Sequence, residues 1–258
     1  MAGRSEPAIE LRDVSVVISG NTVLENITFR VDEGRFVAII GPNGAGKTTC
    51  LRAILGLTPP TSGEVRLFGM PPALAIGKGH AVGYVPQRTQ FDRNIPFSVM
   101  DVVLMGRVGA IGPLRWFSRR DREEAAENLR RVELLDLADR PVGELSGGQL
   151  QRALIARALS CGNPRIIVLD EPTVGVDIPH QRGLYEILVA LIRELGLTIL
   201  VVSHDLAMIS NYADEMICLN RTMHVHGNPC EVLRSHGVEE AYRCEYERLF
   251  GGGGKCSC

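Results

Sequence analysis

The sequence predicts an α/β fold in which a parallel core sheet carries an antiparallel β flap and is interrupted by a helical insertion. Three observations predict it. Phe36–Ile40, Ile166–Leu169 and Thr198–Val202 are continuous apolar runs, the pattern of strands buried on both faces. Short β-like alternation fills the N-terminal segment up to Val31, and helical periodicity is concentrated between the first and second apolar runs.

In chain order, Ile9, Leu11, Val14 and Val16, then Val23, Leu24, Ile27, Phe29 and Val31, fit two antiparallel strands of a flap. Phe36–Ile40 is a buried strand with glycines immediately after it. Residues 48–57 are compatible with a helix, ended by Gly56 and a turn cluster from Thr58 to Gly63. A strand is expected at Val82–Val85. Ser98 to Arg107, Arg119 to Leu135 and Ser146 to Ser160 carry helical periodicity. Ile166–Leu169 restores the buried-strand pattern, residues 181–195 form another helix, and Thr198–Val202 one more buried strand. The expected organisation is an α/β core with its flap over residues 1–89 and 162–228, a helical subdomain over 90–161, and a C-terminal helical extension with a Gly/Cys tail over 229–258.

Composition narrows the function classes. The 258 residues hold 28 Lys and Arg against 30 Asp and Glu, so no general attraction to nucleic acid or to an anionic membrane is expected, and any anion must bind at a local site. Uncharged stretches such as Phe36 to Gly46 fall well short of the roughly 18 apolar residues of a membrane span. The N-terminus has no apolar run that could form the core of a secretory signal, which points to the cytosol. The seven cysteines are scattered and odd in number, so they read as reduced thiols.

Between the Phe36 strand and the following helix stands Gly41, Pro42, Asn43, Gly44, Ala45, Gly46, Lys47, Thr48, the eight-residue phosphate-loop pattern in the context that pattern requires. Glycines let backbone N–H groups turn around a phosphate, the helix N-terminus points its positive end at the anion, and Lys47 adds a cation. The Thr48 hydroxyl can meet Mg²⁺. At the carboxyl end of the Ile166 strand, Asp170 can hold Mg²⁺ through water and Glu171 can polarise an attacking water. Together these imply nucleotide hydrolysis. Ser146, Gly147, Gly148 and Gln149 open a second helix whose serine has N-cap chemistry and whose glycines leave the N-terminus uncovered, so a second anion can be addressed there. Two phosphate-facing helix ends in one chain are economically used in a head-to-tail homodimer, with each ATP between the loop of one subunit and the Ser146 segment of the other.

From Ile9 to about Asn228 the chain resembles the ATP-binding subunits of ABC transporters. The resemblance implies a P-loop, ABC-type nucleotide-binding domain that binds ATP with Mg²⁺ and hydrolyses it. It makes residues 41–49, Thr49 included, the nucleotide loop, and Ser146 to Gln149 the signature segment. Gln87, after Val85 and Pro86, would reach Mg²⁺ and the attacking water. Asp177, closing the run from Glu171, would cross the dimer interface, and His204, between Ser203 and Asp205, would contact the γ-phosphate. Ile18 aligns where many members place an aromatic residue under the adenine. It can pack against the base without π-stacking, which leaves room for GTP.

Within the family, Tyr84 to Asp92 and Ile95 to Arg107 are similar to subunits that energise manganese, zinc or iron importers. This implies polytopic membrane permease subunits as partners, an extracellular solute-binding protein reached through them, and a peripheral place on the cytoplasmic face of the membrane. The Ile95, Pro96, Phe97 cluster would line the groove that receives the permease, while Val99, Val102, Val103 and Met105 are mostly expected in the core. A soluble ABC-type ATPase acting as an iron–sulfur assembly scaffold is the alternative, kept for the thiols. This chain lacks the long coiled coil that a DNA-repair or chromosome ATPase places between its two halves, and it lacks a basic stripe, so no nucleic-acid partner is expected. The late His224, His226, Cys230, His236, Cys244, Cys256 and Cys258 show no four-ligand spacing, and an incidental tail is favoured over a metal sensor.

Overall fold

The computed structural model describes residues 6–77, 82–87, 96–112, 115–174 and 176–242. Along the chain run β1 (Ile9–Ile18), β2 (Asn21–Val31), β3 (Phe36–Ile40), α1 (Lys47–Ile54), β4 (Ser62–Leu67), α2 (Pro72–Gly77), β5 (Val82–Val85), α3 (Val99–Met105) and α4 (Val108–Ile111). They are followed by α5 (Arg119–Arg131), α6 (Gly147–Leu159), β6 (Ile166–Asp170), α7 (Ile178–Leu195), β7 (Thr198–Val202), α8 (Leu206–Ile209), β8 (Glu215–Asn220), β9 (Thr222–Gly227) and α9 (Pro229–Leu233). Two compact units emerge, one holding the residues up to Ala73 and from Val201 onward, the other Leu74–Leu200.

In the first unit β1 is the centre of an antiparallel sheet in the order β2-β1-β4. Ile9 faces Val31 on one side and Leu67 on the other, and Ile9, Leu11, Val14 and Val16 are buried. The expected two-strand flap thus gains β4, whose first residues fall in the stretch predicted as a turn. Separately, β3 pairs in parallel with β8, Val37 opposite Glu215 and Ile40 opposite Cys218, and β8 turns back onto β9. All five residues of β3 are buried, as the apolar run requires. Helix α1 ends where Gly56 takes φ 70° and Leu57 N–H donates to Arg52 O at 2.8 Å.

In the second unit β5 pairs in parallel with β6, Val82 opposite Ile166 and Val85 opposite Leu169, and β6 lies between β5 and β7. Helices α3, α5 and α6 pack on one another. Val99, Val102 and Val103 are buried there while Met105 is 37% exposed, so most of that apolar set is core. Helix α5 stops at Arg131, short of the expected Leu135. Glu133 takes φ 56° and Leu134 N–H reaches back to Leu129 O, a left-handed cap built on a residue other than glycine. Helix α7 begins at Ile178, earlier than expected, with Pro179 in its first turn.

Helix α5 is started by a reciprocal capping box. Ser118 Oγ accepts from Asp121 N–H at 3.2 Å, and the Asp121 carboxylate accepts from Ser118 N–H at 2.8 Å and from its hydroxyl at 2.6 Å. Arg107 Nε adds a bond at 2.9 Å, tying the end of α3 to the start of α5. The Ser118 bonds, reinforced by Arg107, hold the Asp121 carboxyl down to about 2. A carboxyl lowered on folding contributes its stability in full above its ordinary value of about 4 and loses it as pH falls through about 2. Asp121→Asn is therefore expected to cost about 1–2 kcal/mol at neutral pH. The difference from the parent should vanish near pH ~2 in denaturation series, and a pH-independent difference would contradict this account.

Among the described thiols, Cys50 and Cys218 are buried, Cys161 is partly buried and Cys230 is exposed. All four are free, and burial pushes Cys50 up to about 12 and Cys218 up to about 11. Cys244, Cys256 and Cys258 lie outside the described residues. Among the described residues no helix is long and apolar enough to cross a membrane, and no group of three or more His, Cys, Asp or Glu is placed to hold a metal ion.

Candidate functional site

In the first unit the carboxyl end of β3 runs straight into the loop from Gly41 to Gly46. A Cβ at Gly41 would stand 1.9 Å from the carbonyl oxygen of Leu219 on β8, so only glycine lets the chain leave the sheet there. Gly46 takes φ 91°, and its Cβ would meet Leu24 Cδ2 at 2.7 Å. The loop is braced from within by Ala45 N–H to Pro42 O at 3.2 Å. It is braced from outside by Arg221 N–H to Ala45 O at 3.1 Å, with Glu25 N–H to Arg221 O at 2.9 Å behind it. No side chain caps the N-terminus of α1, where the amides of Lys47, Thr48 and Thr49 and the helix dipole favour an anion. Lys47 is 6% exposed and folds back on its own loop, Nζ donating to Gly41 O at 2.7 Å and to Pro42 O at 2.8 Å.

Two further predicted residues lie in this unit. Ser203 N–H donates to Ile39 O at 3.1 Å, which brings the end of β7 beside the end of β3, and exposed His204 follows at once. Asp205 caps the short α8, its carboxylate accepting from Met208 N–H at 2.9 Å. Ile18 ends β1 opposite Asn21 and is 45% exposed.

In the second unit the parallel register of β5 and β6 does the positioning. Val85 is opposite Leu169, so two residues past each lie Gln87 and Glu171, and Gln87 Nε2 donates to Glu171 Oε2 at 2.6 Å. A carboxylate only accepts, so the amide nitrogen faces Glu171 and the amide oxygen is left for another partner. Glu171 holds φ 48°, a left-handed conformation costly for a residue with a Cβ, whereas Asp170 before it is 1% exposed. Ser146 is the N-cap of α6. Its Oγ accepts from Gln149 N–H at 3.3 Å and Gln149 Oε1 accepts from Ser146 N–H at 2.9 Å, leaving Gly147 exposed at the helix end. Gly148 is close to the run before α7, since a Cβ there would be 3.7 Å from Val176 Cγ1.

The structure therefore assembles residues 41–49 as one loop and helix start, joins Gln87 to Glu171, and sets the Ser146 helix end beside the segment leading to Asp177. Sequence reasoning missed His180 and Gln181, which hold that segment. Their spacing of three and four from Asp177 at a helix start was the available signal. A cavity of about 460 Å³ in this unit is lined by Arg107, Arg120 and Arg131, each already paired with Asp121, Glu124 or Glu194, and offers no unpaired cation to an anion. Ile95 lies outside the described residues. Its neighbour Phe97 is 40% exposed.

Comparison with known proteins shows the family and the fold. Residues 24–174 match the ABC transporter family. The chain is 42% identical to the manganese transport system ATP-binding protein MntA of Synechocystis, over 90% of this chain and 88% of that protein. It is 41% identical to the zinc import ATP-binding protein ZnuC 1 of Hahella chejuensis, over 88% and 80% respectively. Among solved structures, an ATP-binding cassette of an ABC transporter in its ADP conformation superposes with a TM-score of 0.81 at 26% identity, covering 92% of this chain and 98% of that one. These relatives are transport subunits by name and lend no support to the assembly-scaffold alternative.

Proposed function

The chain belongs to the ABC transporter family as an ATP-hydrolysing subunit, and from that premise we propose that it powers import of a divalent metal ion, manganese or zinc. The observation that carries the cargo is the pair of relatives above 40% identity, one named for manganese transport and one for zinc import, each matched over most of its length. The working unit is a homodimer bound to polytopic membrane permease subunits on the cytoplasmic face, with an extracellular solute-binding protein delivering the ion. Residues 90–161 act as the helical subdomain that carries the signature segment.

The roles follow from chemistry. The backbone N–H groups of residues 41–49 and the Lys47 ammonium take the nucleotide phosphates. Ile18 packs against the purine. Thr48, Gln87 and Asp170 offer a hydroxyl, an amide oxygen and a carboxylate, all hard oxygen donors of the kind Mg²⁺ takes. The bound cation would supply charge neutralisation between phosphate oxygens. Glu171 orients the attacking water as general base, its position set by the Gln87 bond and its left-handed backbone. His204 contacts the γ-phosphate. Ser146, Gly147, Gly148 and Gln149 present the α6 N-terminus to the partner subunit's nucleotide, and Asp177 crosses the interface. ATP closes the dimer, hydrolysis reopens it, and the permease changes access in step.

Affinity purification of the tagged chain from its own membranes is expected to bring down a polytopic membrane protein. Cells lacking the chain should lose high-affinity Mn²⁺ or Zn²⁺ uptake, restored by the parent but not by Glu171→Gln. Soluble partners alone, with metal uptake intact, would overturn the proposal.

A further inference from the structure

Asp177 stands at the N-cap of α7 with φ −71° and ψ 156°, yet its side chain makes no capping hydrogen bond. An N-cap aspartate ordinarily accepts from the backbone N–H two or three residues on, relieving one of the unpaired donors of the helix start. Here the carboxylate is taken instead by Nδ1 of His180, one turn further along the same face. Because a carboxylate only accepts, Nδ1 is the protonated nitrogen.

The stem of His180 also packs beside the signature helix. A Cβ added to Gly148 would lie 3.4 Å from His180 Cβ and 3.7 Å from Val176 Cγ1. The next residue, Gln181, sends Nε2 back to Val176 O at 2.7 Å and Thr173 O at 3.4 Å, fixing the backbone that enters Asp177. Asp177 and His180 are both exposed, their side chains at 64% and 61%. A pair so wet adds little to stability. What it supplies is geometry.

We propose that His180 is a positioning residue that holds the Asp177 carboxylate off the N-terminus of its own helix and presents it, with the Gly148 end of α6, to the partner subunit. The inference rests on the reading of Asp177 as an interface residue. Two donors, the His180 imidazole N–H and a backbone N–H of the helix start, compete for one carboxylate: without the imidazole, Asp177 rotates to cap α7, so the helix gains what the dimer contact loses. A residue that merely supported the fold would have the opposite signature, since its removal would lower stability together with activity.

The test uses the full chain, measuring ATP hydrolysis and melting temperature for His180→Ala, His180→Asn, Asp177→Ala and the double alanine variant. His180→Ala should lower kcat about fivefold and shift the KM for ATP by less than about twofold, the effect of losing one positioning hydrogen bond. Its melting temperature should be equal to or above the parent's. His180→Asn, whose amide N–H sits at the same distance along the side chain as Nδ1, should recover most of the loss. The double variant should be no slower than Asp177→Ala. An unchanged kcat in His180→Ala, a fall matched by a lower melting temperature, or an asparagine no better than alanine overturns the inference while Asp177→Ala still reports on the interface. Undiminished turnover in Asp177→Ala removes the interface reading itself, and the inference with it.

Discussion

Glu171→Gln is expected to bind ATP as the parent does and to hydrolyse it at least about a hundredfold more slowly, the usual range for loss of a general base being about 10²–10⁴. The substitution keeps shape and volume and exchanges one carboxylate oxygen for an amide nitrogen. Gln87 donates to Glu171 Oε2 at 2.6 Å, and an amide oxygen can accept that bond, so the side chain should stay where it is. The left-handed backbone at φ 48° is as accessible to glutamine as to glutamate. What disappears is the group that can take a proton from water near neutral pH. With ATP bound and turnover stalled, the nucleotide-closed dimer should accumulate, visible as a larger species in size-exclusion chromatography with Mg²⁺ and ATP. Phosphate release at the parental rate would remove Glu171 from the mechanism.

Comparable in size is the outcome of mixing two inactive variants, Lys47→Ala and Ser146→Arg. Lysine removal takes the ammonium from the phosphate loop. Arginine at Ser146 abolishes a capping box worth about 1 kcal/mol and sets a cation against the positive end of α6, where an anion is to bind. Ser146 is exposed, so the larger side chain has room and the fold should survive. In a head-to-tail dimer, each ATP uses the loop of one chain and the signature segment of the other. A mixed pair then owns one site with both defects and one with neither. Random pairing of equal amounts should restore about a quarter of parental activity from two dead proteins. Activity proportional to the first power of protein concentration, as from a lone monomer, would count against the dimer.

The fully buried strands were the most legible part of the fold. Phe36–Ile40, Ile166–Asp170 and Thr198–Val202 fall where the apolar runs place them, because a strand covered on both faces has no polar position to disguise it. Partnership is harder to read. Ser62–Leu67 becomes a strand by pairing with β1, and Glu215–Asn220 by lying against β3, pairings that join residues far apart in sequence. The end of α5 was misplaced because Glu133 occupies the left-handed cap where glycine is the usual sign. At the candidate site, glycine spacing announced the phosphate loop, while the Gln87–Glu171 bond depends on a strand register that no local pattern encodes. His180 carries no motif of its own and becomes visible only as the partner of Asp177.

The folded-back lysine has a consequence for how often the molecule can work. An ammonium deep in a protein is costly unless it is compensated, and a subunit that releases product every cycle must repeatedly do without its anion. Gly41 O and Pro42 O accept hydrogen bonds from the Lys47 ammonium. On the proposed reading, nucleotide arrival would exchange these two carbonyl dipoles for phosphate oxygens. Affinity would be lowered by the bonds given up, and in return the buried charge has partners within its own loop.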